Sequence, residues 1–354
     1  MTLPQPHTRF ERPPETDAVE PPEAHGVARD GVKLMIAGPD RVVHARFSDL
    51  GDHLAAGDLL VVNNSATLPA AVDGVRRAAT IVVHFSAALD DHLWVVELRP
   101  AVNATSSLPD IQSGERIGLP DGAALVVVDS FPEPGAPGSR LWTARLAIEG
   151  DVTAYLGRHG RPIRYSYVPR PWPMSSYQTV FARRPGSAEM ASAARPFSAE
   201  LVTSLVSAGI AIAPITLHAG VSSAEPGEPP VAEPFDVPSA TARLVNLTHA
   251  SGGRVIAVGT TATRAVESAA DTDGTVHPAT GWTDLVLGPD RPPRVVDGLI
   301  TGWHDAGASH LLLLEAVAGP QLVAAAYREA VEHRYLWHEF GDSALLLPSR
   351  RRSR

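Results

Sequence analysis

The stretch RVIAVGTTATRAVES, residues 254–268, is the most informative part of this 354-residue chain for its fold. Its β-branched apolar run from Val255 to Val258 stops at Gly259, and two threonines then open a helical pattern. A buried strand that leads directly into a helix places free N–H groups and hydroxyls where α/β proteins commonly bind ligands. The glycines follow neither GxGxxG nor GxxxxGK[ST], so dinucleotide and P-loop nucleotide binding are not indicated. The alternative interpretation is an ordinary buried strand–turn–helix unit without a ligand.

The composition limits the classes of protein to consider. The chain is 44% hydrophobic, which suffices for substantial cores, and its length favours about two domains. No stretch reaches the roughly 18 apolar residues of a membrane span, so we expect no membrane association. Cysteine is absent, which excludes disulfides, thiolate metal sites and cysteine nucleophiles and favours a cytoplasmic location. The net charge of −9 argues against broad nonspecific nucleic-acid binding.

The pattern of predicted strands and helices differs between the ends and the middle of the chain. Residues 1–26, with six prolines in the first 22, predict an extended N-terminal arm. Residues 71–150 show short strand patterns separated by Gly, Pro and Asp, which is typical of a small antiparallel barrel. Residues 27–70 and 151–348 alternate strand and helix patterns. The sequence therefore predicts an α/β protein, with a barrel-like α/β domain, an inserted all-β barrel and a disordered basic tail at 349–354.

Polar side chains follow several of the predicted strands. If those strands are parallel, the side chains converge on one edge of the sheet. His218 and His304 are the candidates for proton transfer because imidazole titrates near neutrality, although a histidine at a strand end is often structural. Asp342 is either a base or a turn cap. The other residues at these strand ends are Asn63, Asn64, Thr260, Thr261, Arg264 and Trp303.

Three further expectations concern pairs and metals. Glu267 stands three residues after Arg264 on the predicted helix, where the two can form an ion pair. Trp303 can stack on a base, face a cation or belong to the core. HExxH is absent, and the spacing of His333 and His338 does not place them on one helix face, so we expect no metal. Nothing in the sequence indicates an obligate protein partner, and a monomer is expected.

A basic strip with interleaved aromatic residues spans 157–195. It carries seven arginines and a single acid, Glu189. Such a strip suits a polyanion with unpaired bases, and the alternative is a proline-rich connector with a solvated face. The residues that we assign to substrate binding are Arg170, Tyr177, Gln178, Arg183, Arg184 and, beyond the strip, Glu233.

In collinear order, several segments together resemble a known family, the S-adenosylmethionine:tRNA ribosyltransferase-isomerases of queuosine biosynthesis. The resemblance covers residues 29–347. The segments that carry it are FSDLGDHLAAGDLLVVNNS (47–65), YQTVFA (177–182), TLHAG (216–220), GGRVIAVGTTATRAVES (252–268), VVDGLIT (295–301) with His304, and FGD (340–342).

The resemblance implies a fold, a reaction and a set of residues. It implies transfer of the ribosyl part of S-adenosylmethionine, the cosubstrate, to 7-aminomethyl-7-deazaguanine in a tRNA anticodon, without a metal. Adenine and methionine leave. The catalytic candidates are His218, His304 and Asp342. The candidates for cosubstrate binding are Asn63, Asn64, Thr260, Thr261, Arg264, Glu267 and Trp303.

The chain departs from the family pattern at several positions. Ala66 and Ala71 stand where the family has arginines, and Pro196 stands where it has a histidine. Two alternatives therefore remain open. The first is a paralogue with a small-molecule acceptor, motivated by the altered loop 219–235 and the Trp-His-Asp trio at 303–305. The second is a non-catalytic RNA-binding protein on the same scaffold.

Overall fold

The fold is that of a computed structural model, which describes residues 4–101, 107–221 and 230–349. The strands are β1 (Lys33–Ala37), β2 (Val42–Arg46), β3 (Leu59–Asn63), β4 (Ser65–Thr67), β5 (Ala71–Arg76), β6 (Ala79–Ala88), β7 (Leu93–Pro100), β8 (Arg116–Gly118), β9 (Ala124–Phe131), β10 (Leu141–Ala147), β11 (Arg184–Ser187), β12 (Ala211–Leu217), β13 (Glu233–Val237), β14 (Val255–Val258), β15 (Ala279–Thr283), β16 (Gly298–Thr301) and β17 (Ser343–Leu346). The helices are α1 (Val152–His159), α2 (Ala199–Ser207), α3 (Ser239–Ala250), α4 (Thr260–Ser268), α5 (His310–Ala318) and α6 (Pro320–Glu332).

The large domain is built on a mixed sheet. Within the described parts of the chain, nine strands pair in the order β15-β13-β12-β3-β14-β16-β17-β1-β2. The four strands β12, β3, β14 and β16 run parallel, so their carboxyl ends meet at one edge. Strand β17 is antiparallel to β16, and therefore it begins at that same edge. The convergence of strand ends expected from the sequence is present.

The inserted domain is a closed barrel of the six strands β10-β7-β6-β5-β8-β9. Its own core of buried side chains includes Val83, Phe85, Val96 and Ile117. Alternation along β5, where buried and exposed residues take turns, is the pattern that a barrel wall requires. The α/β class with an inserted β-barrel is therefore confirmed.

The sequence predicts an extended N-terminal arm and a disordered C-terminal tail. The described part of the N-terminal arm lies on the large domain, where Thr8 is buried and bonds to Glu315, and Phe10 stacks on Trp337. The predicted basic tail at 349–354 lies outside the described residues except for its first residue. Among the described helices, none is by itself long and apolar enough to cross a bilayer. Helices α5 and α6 pass that test only as a pair bent by 118°.

Candidate functional site

A cavity of about 510 Å³ lies between the carboxyl edge of the large sheet and the barrel wall. This volume falls within the roughly 300–1,000 Å³ of small-molecule sites. The barrel contributes Phe131, Arg140 and Leu141, and the connector after α1 contributes Tyr165 and Tyr167. Seven of the residues predicted for the site line this cavity: Tyr177, Glu233, Thr260, Thr261, Arg264, Trp303 and His304.

The N-terminus of α4 faces this cavity, as the opening motif predicts. Gly259 has a φ of 93°, a conformation that side chains other than glycine rarely adopt. A Cβ at Gly259 would also lie 3.3 Å from the Cβ of Ala193. In the part of the chain that is described, no side chain caps the helix, so its first N–H groups remain available to a ligand beside the Thr260 hydroxyl, and the Thr261 hydroxyl, which accepts from Asn63, can still donate.

Arg264 is fixed in the cavity wall by three acceptors. Its guanidinium bonds to the Glu233 carboxylate and to the carbonyls of Thr283, at 2.8 Å, and Leu285, at 3.2 Å. Glu233 also accepts from the Gly220 N–H at 2.9 Å. The pair thus joins α4, β13 and the end of β12 into one rigid polar wall. The Arg264–Glu267 pair expected from helical spacing is not formed.

The barrel supplies a positive charge on the opposite wall. Arg140 donates to Glu97 at 3.2 Å, and the Glu97 side chain is fully buried. Burial alone would raise the pKa of Glu97, but the neighbouring His84, hydrogen bonds from Arg99 and the charges of Arg99 and Arg140 lower it to about 2. Glu97 is therefore ionised, and it holds the Arg140 guanidinium in a fixed place beside the cavity.

Two stacked imidazoles lie at the end of β16. His304 and His310 have parallel rings whose centroids are 4.5 Å apart, and both line the cavity. Burial lowers the pKa of His304 well below its usual range, and the neighbouring His310 and His338 lower it further. Burial and the charge of Arg264 lower the pKa of His310 to about 4. Both rings are therefore neutral at pH 7 and do not repel a cationic ligand.

The hydrogen bonds of His304 indicate its tautomer. The Thr301 hydroxyl donates to the Gly302 carbonyl at 3.1 Å, and its oxygen lies 3.2 Å from His304 Nε2. Since that oxygen is then an acceptor, Nε2 carries the proton and Nδ1 holds the free lone pair. The backbone N–H of His304 donates to the Tyr327 hydroxyl at 3.2 Å, which fixes the residue in the cavity wall.

The depressed pKa of His310 gives a pH prediction. The unfolded chain binds a proton on this residue below about pH 6.5, whereas the folded chain binds it only near pH 4. The free energy of unfolding therefore falls as pH drops through this window and is fully restored above it. We expect a H310L variant to lose part of this slope, measured as urea midpoints at about pH 7, 6 and 5. An unchanged slope in H310L would contradict the burial of a neutral imidazole.

Some predicted residues hold the site together from outside the cavity. Asn63 is fully buried. Its side-chain amide donates to the Leu217 carbonyl and accepts from the Leu217 N–H, and it also donates to the Thr261 hydroxyl at 3.2 Å. Asn64 accepts from the Thr216 hydroxyl at 2.7 Å. Gln178 clamps the backbone of β4 through paired bonds to Thr67. These amides position the strand ends rather than line the cavity.

Two of the three catalytic candidates lie away from the cavity. His218 Nδ1 bonds to the Ser65 hydroxyl at 2.7 Å, and its ring packs on Gly186, where a Cβ would lie 2.5 Å from it. Asp342 accepts from the N–H groups of Lys33 and Leu336, each at 2.7 Å, and so caps a turn. Neither residue lines the cavity, and of the three catalytic candidates only His304 does.

The structure also corrects the position of Glu267. Its side chain is fully buried, and its carboxylate accepts N–H groups of Arg294, Val295 and Val296 at 2.8–3.0 Å. It does not line the cavity, so its contacts are with the loop before β16 and not with a ligand. Trp303 is buried and packs against Tyr327 and other aromatic rings. It also lines the cavity.

The three arginines assigned to substrate binding lie at the surface. Arg170 pairs with Glu20 and lies over the Trp172 ring at 4.5 Å. Arg184 pairs with Asp236, and Arg183 is exposed. None of them lines the cavity, so any contact with a polyanion would be made outside it.

Aromatic side chains form another part of the cavity wall, and two of them, Tyr165 and Tyr167, were not predicted as site residues. Tyr167 donates to Glu339, whose pKa burial raises, and its ring stacks on His338 at 4.0 Å. The hydroxyls of Tyr165 and Tyr177 and the indole N–H of Trp303 have no hydrogen-bond partner in the described parts of the chain. All three residues line the cavity, and a buried polar atom without a protein partner is commonly satisfied by a water or a ligand.

The fold and the cavity define a class: an α/β protein whose inserted β-barrel closes a small-molecule-sized site, with polar groups on one wall, over parallel strand ends. The chain belongs to the queuosine biosynthesis protein family, whose model matches residues 7–346.

Relatives and a solved structure agree with this assignment. A protein of Symbiobacterium thermophilum is 34% identical over 96% of this chain and 98% of its own length. One of Pelotomaculum thermopropionicum is 34% identical over 95% and 97%. Both are named S-adenosylmethionine:tRNA ribosyltransferase-isomerase. The crystal structure of an S-adenosylmethionine tRNA ribosyltransferase from Thermotoga maritima is similar, with a TM-score of 0.53 and 27% identity over 96% of this chain and 99% of that one.

Proposed function

We propose that this protein is a S-adenosylmethionine-dependent tRNA ribosyltransferase-isomerase. It transfers the ribosyl moiety of S-adenosylmethionine to 7-aminomethyl-7-deazaguanine in a tRNA anticodon and releases adenine and methionine. The observation that carries the proposal is the meeting of the α4 N-terminus, the Arg264–Glu233 pair and His304 in one cavity of about 510 Å³. The full-length similarity to proteins named for this reaction supports it.

The residue types suit this chemistry. The sulfonium of S-adenosylmethionine acidifies the adjacent C5′ hydrogens, so a modest base such as His304 Nδ1 can remove one. The neutral state of His304 and His310 avoids repulsion of that cation, and the aromatic rings around them favour it. We assign Thr260 and Thr261 to the adenosyl group. Arg140 is the group on the barrel wall for a carboxylate or phosphate.

Of the replaced family positions, Ala66, Ala71 and Pro196 lie outside the cavity, whereas residues 230–232, which read Pro-Val-Ala where the family has Met-His-Ser, line it. Ala71 is buried in the barrel core, and Ala66 lies in β4 beside Pro185. Neither of them lines the cavity, and neither does Pro196. Arg264, Glu233, Thr260, Thr261 and His304 remain in the cavity wall, and their presence supports retained catalysis over a scaffold that only binds RNA.

The test is a turnover measurement on the full chain. We expect incubation with S-adenosylmethionine and tRNA carrying 7-aminomethyl-7-deazaguanine to release adenine and methionine in equal amounts. The control tRNA carries guanine at the same position and should give no release. Absence of release at high enzyme concentration would remove the proposal. Release of adenine and methionine with a free deazaguanine but not with tRNA would favour a paralogue with a small-molecule acceptor. Binding of tRNA without turnover would favour the RNA-binding protein.

The proposal includes the oligomeric state, the location in the cell and the domain boundaries. We propose a cytoplasmic monomer without an obligate protein partner, because its tRNA substrate is found there. The domain boundaries proposed are 27–70 with 151–348 for the α/β domain and 71–150 for the barrel. A sedimentation measurement of the full chain at micromolar concentration tests the oligomeric state.

A further inference from the structure

A cluster of two histidines and a glutamate lies on the large domain, on the edge strand β2 and at the end of α6. His44 belongs to β2, Glu329 to the last turn of α6, and His333 follows that helix directly. Their ligating atoms all lie within 4.8 Å of one another. We propose that His44, Glu329 and His333 form a binding site for a divalent transition metal, with zinc as the metal that fits best.

The spacing of the atoms agrees with tetrahedral coordination. His44 Nε2 lies 3.6 Å from Glu329 Oε2, and His333 Nδ1 lies 3.4 Å from the same oxygen. Zinc bonds of about 2.0–2.1 Å at tetrahedral angles place neighbouring ligand atoms about 3.3 Å apart. The His44 and His333 rings pack against each other, with centroids 4.1 Å apart, so both rings must turn for their nitrogens to close on one ion, and a water would take the fourth position.

The hydrogen bond of His44 prepares its ring for metal binding. Its Nδ1 lies 2.9 Å from the Tyr335 hydroxyl. When Nδ1 carries the proton and donates it to that hydroxyl, the lone pair is on Nε2, which faces Glu329. Metal-bound histidines usually have such a partner on their other nitrogen, because it fixes the tautomer and the ring orientation.

A hydrogen bond of His333 and the nearby Lys33 ammonium affect how easily an ion can bind at this cluster. His333 Nδ1 lies 3.1 Å from the Glu329 carbonyl, so binding through this atom replaces a hydrogen bond. The Lys33 ammonium bonds to the carbonyls of His333 and Arg334, which turns it toward the helix end. The side chains of Glu329 and His333 are 33% and 47% exposed, so an ion can enter directly from solvent.

A bound ion would tie together parts of the chain that reach the cavity. Residues 333–342 run from this cluster to the start of β17, and they carry His338 and Glu339 into the cavity wall. Coordination by His44 would fasten the first residue of this segment to the edge strand. The ligand set of two imidazoles and one carboxylate favours zinc over magnesium, which prefers oxygen ligands.

The test is calorimetric titration of the untagged full chain with zinc chloride. We expect saturation at one ion per chain, at least about tenfold weaker binding in H44A and H333A, and no saturation with magnesium. The matched control is H277A, which removes a surface histidine paired with one carboxylate, Asp271, and should bind zinc like the parent.

A second readout keeps the test independent of folding defects. Zinc should raise the thermal midpoint of the parent and of H277A but not that of H333A, whose ring lies at the exposed end of its own helix and contacts His44. Equal zinc affinity in the parent and in a H44A/H333A double variant would overturn the site. Failure to saturate at one ion would overturn it as well.

Discussion

Replacing His304 with glutamine is expected to lower the rate of adenine release by about 10²- to 10⁴-fold, the usual contribution of a general acid or base. The ring lines the cavity, and burial keeps it neutral. Its Nε2 is occupied by Thr301, which leaves Nδ1 to accept a proton. Glutamine keeps a polar side chain of comparable length and removes the titrating group. The measurement is kcat/KM for S-adenosylmethionine at saturating tRNA.

A second histidine provides the comparison. The sequence alone could not choose between His304 and His218, and the structure separates them because His218 bonds to Ser65 outside the cavity. H218Q should therefore reduce turnover far less than H304Q, with H277A as the surface control. A larger loss in H218Q than in H304Q would contradict the assignment. Urea midpoints of each variant distinguish lost chemistry from lost folding.

The sequence predicted the elements whose signals are local. The run from Val255 to Gly259 predicts a strand that ends at a ligand-binding edge, and β14 and α4 follow that pattern. Barrel strands were recognised from their short alternating patterns. In each case the residues that decide the structure are neighbours in the chain, so periodicity reports on them directly.

Contacts between distant segments could not be predicted in this way. Helical spacing offered Glu267 as the partner of Arg264, but the partner is Glu233 on β13, which the sheet brings alongside. His310 opens an apolar helix and gave no signal, although it stacks on a predicted site residue. The cluster of His44, Glu329 and His333 brings together residues near the two ends of the chain. The spacing of His333 and His338 in the sequence does not predict it. Such pairs depend on strand order, which a single sequence does not encode locally.

Replacing Glu267 with alanine is expected to destabilise the large domain by about 3 kcal/mol or more. Its fully buried carboxylate accepts the consecutive N–H groups of Arg294, Val295 and Val296, which lie just before β16. Each buried donor left without a partner costs about 1–3 kcal/mol, and a methyl group in this place offers no acceptor. The same loop leads into β16 and thus to His304, so the cavity wall should loosen together with the fold. The measurement is the urea midpoint of unfolding.

Two further variants separate the lost hydrogen bonds from other effects of the substitution. E267Q retains one carbonyl oxygen that can accept from the same N–H groups, so its loss should be clearly smaller than that of E267A. E332A removes an exposed glutamate from the end of α6 and should change stability by no more than about 0.5 kcal/mol. If E267A were as stable as E332A, the carboxylate would not hold the loop, and the path from α4 to His304 would have to be supported by the packing of Val295 and Val296 alone.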